Sequence, residues 1–201
     1  MIQAILKESI SEAQKNIQEL LNDTKLHAEF EKMIEMMVQC YKKGGGLFVA
    51  GNGGSAADAH HFVAELVVKL NKNRDPIKAF ALTVDTSIIT AAGNDFSYDD
   101  IFSRQVEGLM SANDIFIGFT TSGNSPNILK SFQMCQKIGA KSILLSGKDG
   151  GIAVKEKMAD VNIIVPGPNT ARIQEAHAIL YHTICFCLEK RLVEEKIISY
   201  R

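Results

Sequence analysis

Through most of this chain, short and mainly apolar runs alternate with stretches of helical periodicity. That alternation restricts the fold more than any other feature. The runs are Leu47-Phe48-Val49-Ala50, then 79–84, 114–119, 142–145 and 161–165. Helical patterns separate them at 55–70, 86–92, 99–110, 126–138 and 152–158, and a last one covers 170–195. A strand with one wet face alternates apolar and polar residues, whereas a strand apolar throughout is covered on both faces. The order therefore predicts an α/β fold, a parallel sheet between two layers of helices.

The first 43 residues read differently. Ile2, Ile5, Leu6, Ile10, Ala13, Ile17, Leu20 and Leu21 recur at three- and four-residue steps, and so do Leu26, Phe30, Met33, Ile34, Met37, Val38 and Tyr41. These are two amphipathic helices. Asn22-Asp23-Thr24 divides them and can cap the second, and Gly44-Gly45-Gly46 stops it. We expect a helical extension over 1–43 and an α/β domain over 44–201, functionally one domain.

Charge narrows the partners. The net charge is −1, with a pI near 6.5, which gives no long-range field for nucleic acid or an anionic membrane. An anionic ligand needs a local site. Cys40, Cys135, Cys185 and Cys187 form no Cys-x-x-Cys pair and lie in apolar stretches, as small core residues do. The N-terminus lacks the long apolar region of a signal peptide. The longest apolar stretch near the C-terminus, Ala178 to Leu188, is too short to span a bilayer and contains His182. The expectation is a reduced, cytoplasmic protein.

Ligands of parallel sheets gather beyond the carboxyl ends of the strands. Two loops there are rich in glycine and hydroxyls: Gly51-Asn52-Gly53-Gly54-Ser55, and Thr120-Thr121-Ser122-Gly123-Asn124-Ser125. In the second, Pro126 suits the first position of a helix and Ser125 its N-cap. Hydroxyls, free amides and a helix dipole together form a phosphate cradle that needs no lysine. A capped turn with solvated hydroxyls is the simpler alternative. The first loop loosely matches a dinucleotide fingerprint, with Asp85 where a ribose-binding acid would sit. No Gly-x-x-x-x-Gly-Lys-Ser/Thr phosphate loop occurs.

Four of the five histidines lie on two helical segments. His60, His61 and Glu65 follow the first loop, with His61 and Glu65 on one face at a four-residue step. Gln174, Glu175, His177 and His182 lie on the last helix. A carboxylate and an imidazole can shuttle protons. His61, Glu65 and His182 are equally the usual nitrogen and oxygen ligands of zinc. A core histidine held by a hydrogen bond is the plainer reading of each one alone.

Gly51-Asn52-Gly53-Gly54-Ser55-Ala56, with His61 and Glu65 in the next helix, resembles the sugar isomerase (SIS) domain family. Thr121-Ser122-Gly123-Asn124-Ser125, Asn94-Asp95 and Ala171-Arg172-Ile173-Gln174-Glu175-Ala176-His177 match the same family in the same order. The branch it most resembles isomerises sedoheptulose 7-phosphate to D-glycero-D-manno-heptose 7-phosphate, the first step toward nucleotide-activated heptose for lipopolysaccharide or capsule.

The resemblance implies a three-layer, flavodoxin-like sandwich with a five-stranded parallel sheet. It implies a homotetramer with active sites at subunit interfaces, one zinc ion per subunit and no nucleotide cofactor. It places proton transfer on Glu65 and His182, and zinc on His61, Glu65, Gln174 and His182. Substrate binding falls on Asn52, Gly53, Gly54, Ser55, Asn94, Asp95, Thr120, Thr121, Ser122, Ser125 and Gln174. Thr120 replaces a serine but keeps the hydroxyl, and Ala171 stands where some members carry aspartate. Glu65 as a free base and Glu65 as a tight ligand are competing roles. Some members of the family are non-catalytic and bind a replication initiator protein or sense a sugar phosphate, and that is the alternative function.

One spacing bears on assembly. Gln174 and His182 are eight residues apart, ~12 Å along one helix and ~80° around it. Zinc–ligand bonds are only about 2 Å long. Both can meet one ion only by reaching far toward each other; otherwise the site draws them from different chains, or one of the two is not a ligand. The expectation is that each site combines residues of at least two chains.

Overall fold

The computed structural model describes residues 1–201. Five parallel strands form one sheet: β1 (Leu47–Gly51), β2 (Ala79–Ala81), β3 (Ile115–Thr120), β4 (Lys141–Gly147) and β5 (Val161–Val165). Their spatial order is β2-β1-β3-β4-β5. Eight helices accompany them. These are α1 (Ile2–Asn22), α2 (Thr24–Lys42), α3 (Gly54–Val67), α4 (Thr86–Asp95), α5 (Ser103–Leu109), α6 (Pro126–Ile138), α7 (Gly151–Lys155) and α8 (Thr170–Glu194).

The strands are apolar on both faces because both faces are covered. Leu47, Val49, Ile115, Ile117, Phe119, Ile143, Leu145, Val161 and Ile163 point into a core shared with α2, α3 and α8. Phe48, Ala50, Phe116 and Leu144, one residue out of phase, point into a second core with α5, α6 and α7. The period of two along each strand separates the cores, and the three-layer α/β sandwich follows.

Helix α2 belongs to the first core: Met33, Met37 and Val38 are fully buried there. Asp23 caps it, its carboxylate accepting from the Leu26 amide at 2.9 Å. Helix α1 is unlike the others. It buries only Asn16 and Leu20, while Ile2, Ile5, Leu6, Ile10, Ile17 and Leu21 remain exposed.

Three segments are shorter than their sequence pattern. The apolar run 79–84 is a strand only over Ala79–Ala81, because β2 is an edge strand and Leu82 turns into the second core. The pattern at 99–110 divides into a 3₁₀ turn (Tyr98–Asp100) and α5. That at 152–158 yields five helical residues, ended by Lys157 at φ +53°.

Candidate active site

In a sheet of order 2-1-3-4-5, connections leave in opposite directions from β1 and β3, and a crevice opens where these strands are neighbours. Gly51 pairs with Phe119 in register, so the two loops of interest emerge side by side. Asparagines bridge them. Asn52 Nδ2 donates to Asn127 Oδ1 and Asn127 Nδ2 donates to Asn52 Oδ1, both at 2.9 Å. The Tyr98 hydroxyl donates to Asn52 Oδ1 at 3.1 Å. Asn94 and Asp95, exposed at the end of α4, lie four and three residues before Tyr98 and hydrogen-bond each other at 2.7 Å.

The hydroxyl loop ends as the sequence predicts, with Ser125 as N-cap and Pro126 in the first turn of α6. Its hydroxyl caps no amide, however. Ser125 Oγ pairs with Thr120 Oγ1 at 2.9 Å, which leaves the N-terminal amides of α6 without a side-chain acceptor. Thr120 itself is buried, and its carbonyl accepts from Ser146 Oγ. Thr121 and Ser122 flank it at the start of the loop, Thr121 half-buried. Gly123 has φ +67°, and a Cβ there would lie 1.9 Å from the Gly150 carbonyl oxygen. The loop thus docks on the turn before α7, and no side chain fits between them.

Helices α3 and α8 both start at carboxyl ends of strands and run alongside each other. A Cβ on Gly54, the first residue of α3, would lie 2.5 Å from Gln174 Nε2, so the Gln174 amide rests on the glycine loop. Ser55 beside it is buried. Two turns further on, His61 and Glu65 of α3 meet His182 of α8. One ligand-type atom from each lies within 4.8 Å of the others. His61 Nε2 is 3.2 Å from Glu65 Oε1, and the His61 and His182 rings are 4.9 Å apart edge to face.

The spacing of Gln174 and His182 predicts a site that combines at least two chains, unless one of the two is not a ligand. A single chain already brings His61, Glu65 and His182 together. Gln174 sits two turns away along α8, at the other end of the crevice. The remaining histidines lie apart. His60 is exposed, whereas His177 is fully buried, its Nε2–H donating to the Ser146 carbonyl at 3.2 Å. Burial holds the His177 imidazole down to about 4, so it is a neutral core residue. Asp85 accepts from the amides of Ser87 and Ile88 as the N-cap of α4. This capping accounts for the acid that the dinucleotide reading required.

Several residues at the site carried no sequence signal. Asn127 follows Pro126 by one residue, and only the fold places it against Asn52. Asp58, one turn before His61, has its carboxyl pushed up to about 6 by burial, with the nearby His61 opposing. Arg74 falls in a charged stretch that reads as solvated loop. It is buried, donating to Glu189 Oε2 at 2.9 Å and to the carbonyls of Glu65 and Leu66 at the end of α3.

Two glycine- and hydroxyl-rich loops at a topological switch point lead into helices that bring a carboxylate and two imidazoles together, an arrangement suited to a sugar phosphate. The SIS domain family is matched over residues 10–147, and the chain belongs to that family. Its relatives include a phosphoheptose isomerase of Clostridium acetobutylicum, 42% identical over 98% of this chain and 97% of that one. One of Campylobacter jejuni is 45% identical over 82% of this chain and 88% of that one. Among solved structures, phosphoheptose isomerase from Neisseria gonorrhoeae superposes with a TM-score of 0.87 at 37% identity, covering 94% of this chain and all (100%) of that one. The Francisella tularensis enzyme gives 0.84 at 33% identity, over 94% and 98% of the two chains.

Proposed function

We propose that this protein is a phosphoheptose isomerase, converting sedoheptulose 7-phosphate to D-glycero-D-manno-heptose 7-phosphate on the way to nucleotide-activated heptose for lipopolysaccharide or capsule. The observation that carries the reading is the convergence of Glu65 and His182 from the two helices that flank the glycine loop, in a chain so similar to proteins of that name. A non-catalytic SIS scaffold has no use for that convergence.

The reaction moves a proton between C1 and C2 through an enediol. Glu65 takes the carbon-bound proton and returns it to the neighbouring carbon, and His182 exchanges a proton with the sugar oxygens. The side chains of Thr121, Ser122 and Ser125, with the positive end of the α6 dipole, hold the phosphate. Buried Thr120 orients Ser125 through their mutual hydrogen bond. Asn52, Gly53, Gly54, Ser55, Asn94, Asp95 and Gln174 line the sugar's path.

The donor set of His61, Glu65 and His182 fits zinc, two imidazoles and a carboxylate being a common three-ligand arrangement that leaves a position open. An ion held there would supply Lewis-acid polarisation of the sugar's carbonyl and hydroxyl oxygens. Within one chain Gln174 serves the sugar rather than the ion, being ~12 Å along the helix from His182. The exposed apolar side chains of α1 support assembly into a homotetramer, for which they would form buried contacts. No helix is long and apolar enough to cross a membrane.

The test is an isomerase assay of the purified protein on sedoheptulose 7-phosphate, before and after chelation and with zinc restored. Turnover that falls on chelation and returns with zinc supports both parts of the reading. Absence of turnover in the zinc-loaded protein refutes the isomerase assignment.

A further inference from the structure

His61 is the least sheltered member of its cluster, its side chain about half exposed (47%). An imidazole on the outer face of a helix can turn its ring and present either nitrogen. Here one nitrogen is already engaged. The Tyr181 hydroxyl lies 2.9 Å from His61 Nδ1, which leaves Nε2 aimed at Glu65 Oε1. Tyr181 is itself buried, 3% exposed, and its ring packs against Phe62 and against the ring of His182. A phenylalanine would fill that space equally well. The hydroxyl alone extends out of the core to His61.

We propose that Tyr181 is a positioning residue that fixes the ring orientation of His61, so that Nε2 faces Glu65 and is the nitrogen presented to a bound cation. The proposal rests on the metal reading of His61, Glu65 and His182. Which nitrogen of a histidine binds a metal is set by the hydrogen bond that the other nitrogen makes. Without an ion, the phenol donates to Nδ1 and Nε2–H donates to Glu65. With an ion on Nε2, that nitrogen offers its lone pair, the ring proton resides on Nδ1, and Nδ1–H donates to the phenol oxygen. A hydroxyl serves both states because it can donate or accept by rotating its proton. No proton enters or leaves the Tyr181–His61 pair.

Tyr181 and His182 are consecutive on α8, so one turn of one helix delivers both a candidate ligand and the group that orients another. Neither the Tyr181 side chain nor its bond to His61 contributes a ligand atom, and for that reason its contribution is measurable apart from His182.

The test is Tyr181→Phe in the full chain, with zinc affinity measured by competition against a chromogenic chelator. Loss of an outer hydrogen-bond partner costs roughly 10–100-fold in metal affinity, so the zinc dissociation constant is expected to rise by that factor. In the metal-free proteins, ¹⁵N shifts of the His61 ring give an independent readout. The parent is expected to show a single Nε2-protonated tautomer, and Tyr181→Phe a mixture. Zinc affinity in Tyr181→Phe equal to that of the parent overturns the role of Tyr181 while leaving the metal site standing. A parent protein that binds no zinc overturns the metal reading, and the proposal with it.

Discussion

Arg74 gives the sharpest test of how the two site helices are held together. Its guanidinium makes four hydrogen bonds: to Glu189 Oε2 on α8, to the carbonyls of Glu65 and Leu66 on α3, and to its neighbour Asp75. The last carbonyls of a helix have no partner within it. Arg74 therefore caps α3 and ties it to α8 with one side chain. The ion pair is dry, the two side chains being 1% and 9% exposed. The substitution Arg74→Ala would leave the Glu189 carboxylate buried without its counter-charge and the Glu65 carbonyl without its donor.

Breaking a buried pair from one side costs about 3–5 kcal/mol, because the abandoned charge has lost its water and gained nothing. We expect Arg74→Ala to lower the free energy of unfolding by that amount. Glu189→Gln keeps the shape and one acceptor, and should lose about 1–3 kcal/mol. The double replacement Arg74→Met with Glu189→Leu should recover most of the loss, since apolar groups of similar volume often replace such pairs at little cost. Urea unfolding at a fixed protein concentration measures all three. A loss below about 1 kcal/mol for Arg74→Ala would refute the reasoning, because it would mean that water reaches Glu189 as soon as the arginine is gone.

Other expectations concern the chemistry. Glu65→Gln preserves shape but removes the proton acceptor, so turnover should fall by a factor on the order of 10²–10⁴ with substrate binding retained; near-normal turnover removes Glu65 from the mechanism. Ser125→Ala takes a donor from the phosphate cradle and should weaken binding of sedoheptulose 7-phosphate, whereas unphosphorylated sedoheptulose should bind poorly to the parent; equal affinity of the parent for the two sugars would contradict the cradle. Because one chain brings Glu65 and His182 together, reassembled mixtures of Glu65→Gln and His182→Ala proteins should regain no activity, and recovery in mixed oligomers seen by native mass spectrometry would show that the pair is completed between chains. His177 is held below its ordinary value of 6.5, at about 4, so its contribution to stability is full above pH 6.5 and is lost as pH falls toward 4. The loss is on the order of 3 kcal/mol, and unfolding of a His177→Gln variant should show a correspondingly flatter pH dependence over that interval.

The sequence by itself determined the layers and the chemistry available. Strands apolar on both faces are covered by helices on both sides, so the sandwich was legible from residue 47 onward. Ser125-Pro126 marked the start of α6 because proline's fixed φ and missing amide suit a first turn. The four-residue step from His61 to Glu65 put both on one face of α3, and the match to family motifs extended this to His182. These features are local, set by periodicity and by backbone stereochemistry, and a linear reading can find them.

Tertiary structure alone decided what meets what. The sequence does not state that β1 lies beside β3, yet that neighbourhood places Asn52 against Asn127, 75 residues apart. Arg74 reads as a solvated loop cation until Glu189, 115 residues later, lies opposite it. Asp85 could be a ribose ligand or a helix cap until the backbone of α4 claims its carboxylate. Tyr181 is indistinguishable from any core aromatic until its hydroxyl is found on His61. In each case the residue type permits several partners of comparable energy. The choice among them is made when the packing of two apolar cores fixes the distance between helices, a property of the whole chain that no segment carries on its own.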